Sequence, residues 1–253
     1  LGQLSCERSD FRAAVAHFES ATAGFREAED RERAVQSSIG LADALAATGE
    51  FDAALQRYAA AHDDANAGGW MVLAALCNEL SALVQLAQGD YATALAGFEK
   101  ARQQYERLQM PQHLANIERQ LGETYLELHL LPEASALLQA TIERFEGLEM
   151  RLEAAWTRIE FAKTLASKRS NDPRIEAELS AAEQLFAAEK QRAGQATAVL
   201  ARAEHAMHLG DTARARELAT SAAEEFRQLH MSTSTARAKA LAAVSEWHND
   251  QSG

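Results

Sequence analysis

The feature that most limits this chain is a register of residue types recurring every forty residues. The stretches "GDYATALAGFEKA" (Gly89 to Ala101) and "GEFDAALQRYAAA" (Gly49 to Ala61) place a glycine, an acid, an aromatic and then small and aromatic residues at the same offsets. A self-similar unit of this length means that one supersecondary structure is built several times and that no copy buries its apolar face alone. The series opened by the glycine runs Ser9, Gly49, Gly89, His129, and after one extra residue in "SKRSNDPR" resumes at Ser170 and Gly210. Further along each copy lie Ala14, Ala54, Ala94, Ala134, Ile175 and Ala215, then Phe18, Tyr58, Phe98, Leu138, Leu179 and Ala219. Two later columns agree as well: Ala21, Ala61, Ala101, Thr141, Ala182 and Ala222, and Phe25, Ala65, Tyr105, Phe145, Phe186 and Phe226.

The offsets between these columns are steps of three and four, which keep residues on one face of a 3.6-residue helix. Ala94, Phe98, Ala101 and Tyr105 therefore form one apolar stripe, whose small members admit a neighbouring helix and whose rings fill the space between. A glycine just past a helix ends it in the left-handed conformation, and the acid after it accepts backbone N–H groups to begin the next. Asp10, Glu50, Asp90 and Asp211 stand at that starting position. The helix before each "GD" carries Leu121, Gly122 and Tyr125, matched by Leu41, Ala42 and Leu45 and by Phe161, Ala162 and Leu165. Each unit thus reads as a helical hairpin. Composition agrees: 3 prolines, 6% aromatics and long Ala-Leu-Glu-Arg stretches favour an all-α chain, and no alternating β-branched run implies a sheet.

The pattern L-G-x-x-Y in one helix, followed by G-D-Y-x-x-A-x-x-x-F-x-x-A in the next, resembles the tetratricopeptide repeat (TPR) over essentially the whole chain. The resemblance implies a right-handed superhelical solenoid of hairpins, a single array over residues 1–253 with about six repeats. The usual repeat is ~34 residues, and the longer unit here is similar to TPR arrays of bacterial multidomain proteins. Those are attached to caspase-like CHAT protease domains or belong to MalT-like and LuxR-type regulators. Leu1 and Gly2 occupy the Leu121 and Gly122 positions, so the chain is expected to start mid-helix in a first repeat, as a fragment of a larger protein. "STSTARAKALAAVSEWHNDQSG" is expected to supply a lone or capping helix near residues 231–248, with Trp247 over the last apolar face.

Charge and motifs narrow the function. A net charge of −12 without a basic stripe argues against nucleic acid and for a neutral to basic partner. No apolar segment is long enough to cross a membrane, and the 2 cysteines, Cys6 and Cys77, lie far apart, as reduced thiols of a cytoplasmic protein would. No glycine-rich phosphate loop occurs. His205 and His208 lack third and fourth metal ligands and read as a surface pair or a helix-end device. Adjacent carboxylates such as Asp63 with Asp64 and Glu224 with Glu225 point apart on a helix and read as a solvated face. No nucleophile and base can be paired. The expectation is a protein with no catalytic residues, no cofactor and no metal.

What remains is surface. In stacked hairpins the first helices line the binding wall, which by register makes Asp43, Glu79, Leu83, Arg119, Glu123, Trp156, Ile159, Lys163 and Glu204 the inward-facing candidates. Of these, Asp43, Glu79, Arg119, Glu123, Trp156, Lys163 and Glu204 are the expected partner-binding set. Some repeats of the resembled family hold a peptide's terminal carboxylate with a Lys and Asn clamp. Gln36, Ile39, Asp43 and Leu76, Glu79, Leu83 stand in those places, so the clamp is absent. Trp156 either anchors a partner or packs between repeats, and the charges either hold a partner or pair across neighbouring helices. The expected function is a scaffold that binds a protein or peptide. The alternatives are a regulatory arm of a CHAT-type protease and the sensor arm of a LuxR/MalT-type transcriptional regulator.

Overall fold

The computed structural model describes Gln3, residues 10–168 and residues 171–252. Cys6, Ser9, Ser170 and the expected mid-helix start lie outside the described residues. Twelve helices and no strand occur among the described residues. In chain order they are α1 (Phe11–Glu27), α2 (Arg31–Ala47), α3 (Phe51–Gly68), α4 (Met71–Ala87), α5 (Tyr91–Arg107) and α6 (Pro111–Glu127). They continue with α7 (Leu131–Gly147), α8 (Arg151–Lys168), α9 (Arg174–Ala188), α10 (Arg192–His208), α11 (Thr212–Gln228) and α12 (Ser232–Ser252). Residues 1–121 and 122–253 form two compact units, and α6 crosses the boundary.

The turns explain the spacing. Glu29, Gly49, Gly69, Gly89, Gln109, His129, Glu149, Lys190, Gly210 and His230 all have positive φ, from 53° at Gln109 to 85° at Gly49. The next residue returns its N–H to a carbonyl in the last helical turn: Asp90 N–H to Gln85 O at 2.9 Å, Met150 N–H to Phe145 O at 2.9 Å, Asp211 N–H to Ala206 O at 3.0 Å. This closure satisfies carbonyls that a helix end otherwise leaves unpaired. From Glu29 to Glu149, and again from Lys190 to His230, the left-handed residues fall twenty apart, so a forty-residue unit is two half-units with equivalent turns. Alternate turns, at Glu29, Gly69, Gln109, Glu149, Lys190 and His230, escaped the sequence register because only one of them, Gly69, carries glycine.

Helix starts follow suit. Asp10, Asp90 and Asp211 accept from the backbone N–H of Ala13, Thr93 and Arg214 at 3.2, 3.2 and 3.1 Å, and Asp30 does the same for Arg33 at 3.2 Å. Glu50 makes no such cap, and its carboxylate accepts from the Thr48 hydroxyl at 3.1 Å instead. The extra residue of "SKRSNDPR" is absorbed ahead of α9, where Asp172 accepts from Arg174 N–H at 3.0 Å and Pro173 sets the entry angle.

In the first unit each of α1 to α4 packs on the helix that follows it, and α2 also touches α4. Val35, Ile39, Leu41, Leu45, Tyr58, Cys77 and Val84 form its core. The stripe Ala94, Phe98, Ala101 and Tyr105 is fully buried, as the spacing requires. In the second unit α7 to α12 pack in succession, and α8 touches α10 as α10 touches α12. Leu138, Ile159, Phe161, Leu165, Leu179 and Phe186 form one core, and Leu200, Phe226 and Ala238 a second. Gly122 shows why the first helix needs a small residue: a Cβ there would lie 2.6 Å from the Leu138 side chain. Burying a ring such as Phe98 contributes roughly 1.5–3 kcal/mol.

Candidate functional site

The first helices α2, α4, α8 and α10 make the layer on which the sequence placed its binding set, and α2–α4 and α8–α10 contacts set their side chains beside one another within each unit. In the first unit the two acids turn to side chains of the array itself, Asp43 within its own hairpin and Glu79 to its own hairpin and to α6. Asp43 on α2 accepts from the Tyr58 hydroxyl of α3 at 2.5 Å. Glu79 on α4 is buried, accepting from the Tyr105 hydroxyl at 2.7 Å and the Gln120 amide at 3.1 Å. Tyr105 in turn stacks on His113, ring centroids 4.9 Å apart. Asp43 is exposed as a side chain, yet the packing about its carboxyl partly shields it from water and pushes it up from its ordinary value, opposed by the Tyr58 hydrogen bond. The Cys77 thiol is pushed up to about 12, by burial and then by the Asp43 charge. Arg119 is half-buried on α6. Leu83 is half-buried as well.

In the second unit Glu123 is half-buried, and Ile159, expected on the wall, is core at 1% exposure. Trp156 is 38% exposed and sets its ring edge-on to Phe186, centroids 4.8 Å apart, so it packs on α9 and still meets solvent. Lys163 pairs with Glu160 at 2.7 Å, and Glu204 with Arg237 at 2.6 Å. Lys163 and Glu204 nevertheless line one cleft of about 220 Å³, with Ala162, Ala166, Ser167, Ile175, Leu179, Ala201, His205 and His208. Its floor comes from α8, α9 and α10.

The histidines differ from the surface pair the sequence implied. His208 is exposed and donates from Nδ1 to the Glu204 carbonyl at 2.8 Å. His205 is buried at 8% exposure, and its Nδ1 has no hydrogen-bond partner. Burial lowers the pKa of its imidazole; Glu176 opposes this, while His208 and Arg214 reinforce it. The other strong charges hold hairpins together. Arg158 bridges Glu146 and Glu178, and Arg202 reaches Glu176 and Glu183, each at 2.6 Å. A larger opening of about 600 Å³ in the first unit, among Arg26, Arg31, Asp64 and Trp70, contains no member of the expected binding set. Among the described residues no group of three or more His, Cys, Asp or Glu is placed to hold a metal, and no helix is long and apolar enough to cross a membrane.

Residues 72–147, from α4 to α7, match the tetratricopeptide repeat family. The fold is similar to BtubC (BKLC) from P. vanneervenii, with a TM-score of 0.76 at 17% identity over 87% of this chain and 92% of that one. It is similar also to aspartyl phosphate phosphatase F from Bacillus subtilis, with a TM-score of 0.73 at 12% identity over 98% and 68% of the two chains. The family match shows tetratricopeptide repeats over residues 72–147. A third likeness is to the Rap conjugation gene regulator of the plasmid pLS20 in complex with the Phr* peptide, TM-score 0.64 at 12% identity over 99% and 72%. A comparison with the curated proteins returns no significant match. At these identities the structural likenesses establish the all-α hairpin fold and nothing finer.

Proposed function

We propose that this TPR chain is a non-catalytic scaffold, one array of about six repeats, that binds a protein or peptide segment on its first-helix layer. The observation that carries the reading is the meeting of Lys163 and Glu204, chosen from different repeats by register, in one cleft between α8 and α10. Trp156, on the same α8, keeps over a third of its surface exposed, and Trp is a residue that dominates interface energetics when desolvated. Arg119 and Glu123 on α6 complete the proposed set. Asp43 belongs to it through its place on α2, where a partner would meet a hydrogen-bonded carboxylate rather than a free one, and Glu79 through its place on α4, where its buried carboxylate holds Tyr105 and Gln120 in position. A charge of −12 favours a neutral to basic segment over nucleic acid and fits a soluble cytoplasmic protein.

The likeness to a regulator in complex with a peptide favours a second, finer reading, a sensor arm in which segment binding changes the array's shape. The bacterial forty-residue variety attached to CHAT proteases or LuxR/MalT-type regulators belongs to that reading. Panning the purified chain against a displayed random-peptide library tests the first reading. Enriched peptides should be neutral to basic, and their affinity should fall when Trp156→Ala or Lys163→Ala is made. Absence of enrichment from low to physiological salt would sink it.

A further inference from the structure

A first helix of this array is covered along one side by the second helix of its own hairpin. On α2 that side is Val35, Ile39 and Ala42, buried in the core shared with α3. On α8 it is Ala155, Ile159 and Ala162, buried in the core shared with α9. The register runs from Ala162 through Ala203 to Ala243 on α12, and there Ala236, Ala240 and Ala243 are all exposed. Charge marks the same seam. Arg158 on α8 bridges Glu146 of the helix before it and Glu178 of α9, the helix that covers it. Arg192 at the start of α10 pairs with Glu225 of α11 at 2.5 Å, and Arg26 at the end of α1 reaches Asp64 of α3 at 3.8 Å. Each of these cations meets an acid of a covering second helix. On the last seam Lys239 precedes Ala243 as Arg158 precedes Ala162, and Arg227 follows Phe226 as Arg26 follows Phe25. Two openings between α11 and α12, of about 400 and 450 Å³, share Arg227 and Lys239 in their walls. The acids of this groove are already held, Glu224 by Arg227 at 2.6 Å and Glu246 by Arg216 at 2.8 Å. Lys239 makes no ion pair among the described residues and acts on Glu224 only at longer range.

We infer that the groove along α11 and α12 is a docking face for an acidic amphipathic helix of a partner protein, whose apolar side covers Ala236, Ala240 and Ala243 and whose carboxylate pairs with Lys239. A helix laid in a groove is the mode that fits an uncovered helix face, and the spare lysine selects a helix that brings an acid over one that brings a cation. The array shows the complement in its own packing, since α9 covers α8 and presents Glu178 to Arg158 in the same arrangement. The face lies apart from the wall that carries Lys163 and Glu204, so the inference goes beyond the proposed function and stands or falls independently of it.

A synthetic peptide of the α9 sequence (Arg174–Ala188), which carries Glu178, is the probe. Titrated into the isotope-labelled chain and followed by NMR at the Ala236, Ala240 and Ala243 methyls, it should give saturable shifts at all three. A Glu178→Lys peptide should bind roughly three- to tenfold more weakly, the effect of reversing one charge of a partly exposed pair. Lys239→Glu in the chain should reverse the order of the two peptides. Ala243→Phe, a bulky side chain at an exposed position, should abolish binding of both with helicity unchanged. No saturable shift at the three methyls, equal affinity of the two peptides for the unaltered chain, or an order that Lys239→Glu leaves unchanged overturns the inference. Methyl shifts that grow with chain concentration in the absence of peptide, together with a dimer in sedimentation velocity, would give the face to a second copy of this chain and overturn it as well.

Discussion

Glu149 offers a clean test of how the hairpins are closed. It lies between α7 and α8 with φ at 57°, is solvent-exposed, and is followed by the Met150 N–H to Phe145 O bond at 2.9 Å. A side chain in the left-handed region costs roughly 1–2 kcal/mol through the contact of Cβ with the following carbonyl. Glycine removes that cost but loses roughly 0.5–1 kcal/mol more backbone entropy on folding. Glu149→Gly should therefore stabilise by about 0.5–1 kcal/mol. Gly89→Ala is the reciprocal change: φ there is 79°, and a Cβ would meet nothing within 4 Å, so any cost is backbone strain without a clash. It should destabilise by about 1 kcal/mol. Urea titration followed by helical circular dichroism reads both, and in a thermal scan each kcal/mol corresponds to about 2–4 °C in a chain of this size. Glycine at the well-separated positions Glu29, Gln109, His129, Glu149, Lys190 and His230 should act additively. A lower midpoint for Glu149→Gly, or an unchanged one for Gly89→Ala, would refute the left-handed closure as the determinant of the turns.

Other expectations follow from the same packing. Ala94→Leu, fully buried in its stripe, should cost roughly 1–3 kcal/mol by overpacking, read as a fall in the urea midpoint. Cys77 should resist Ellman's reagent at pH 8 in the folded Cys6→Ser protein and react at once in denaturant, because burial and Asp43 push its thiol up to about 12. His205 is held below its unfolded pKa of 6.5, so the unfolded chain binds more protons between the two values. Stability should then fall as pH drops below about 6.5 towards the folded pKa, and His205→Gln should flatten that slope in urea titrations at pH 7.5 and 5. Asp43 is shifted the other way, so the cost of shielding its charge from water is absent below the unfolded value of 3.8 and complete above the folded one. Asp43→Asn should therefore compare more favourably with the unaltered protein at pH 7 than at pH 3.5.

The hairpin repeat was legible because the buried column Ala94, Phe98, Ala101, Tyr105 is set by helix geometry alone, and every copy must solve the same packing problem. The half-repeat was not, because only Gly69 among its turns carries glycine, and an αL position tolerates Glu, Gln, His or Lys when the turn's hydrogen bonds over-determine it. The binding layer was legible as a list of positions and less so as chemistry. Asp43 and Glu79 find tyrosines 15 and 26 residues away, in two different columns of the repeat, so neither pairing shows as a periodic signal. Ile159 sits one step off the exposed strip of α8 and falls into the core with Phe161 and Leu165. His205 and His208 look alike three residues apart, yet one is buried and the other exposed. No single-helix pattern reveals which.

The central claim is that the first helices, and not the second, meet the partner. Amide hydrogen exchange on the chain with and without a library-selected peptide measures this directly. The account predicts peptide-dependent protection concentrated on α8 and α10, around Lys163 and Glu204, with α7, α9 and α11 unchanged at their outer faces. Protection confined to α7, α9 or α11 would contradict it.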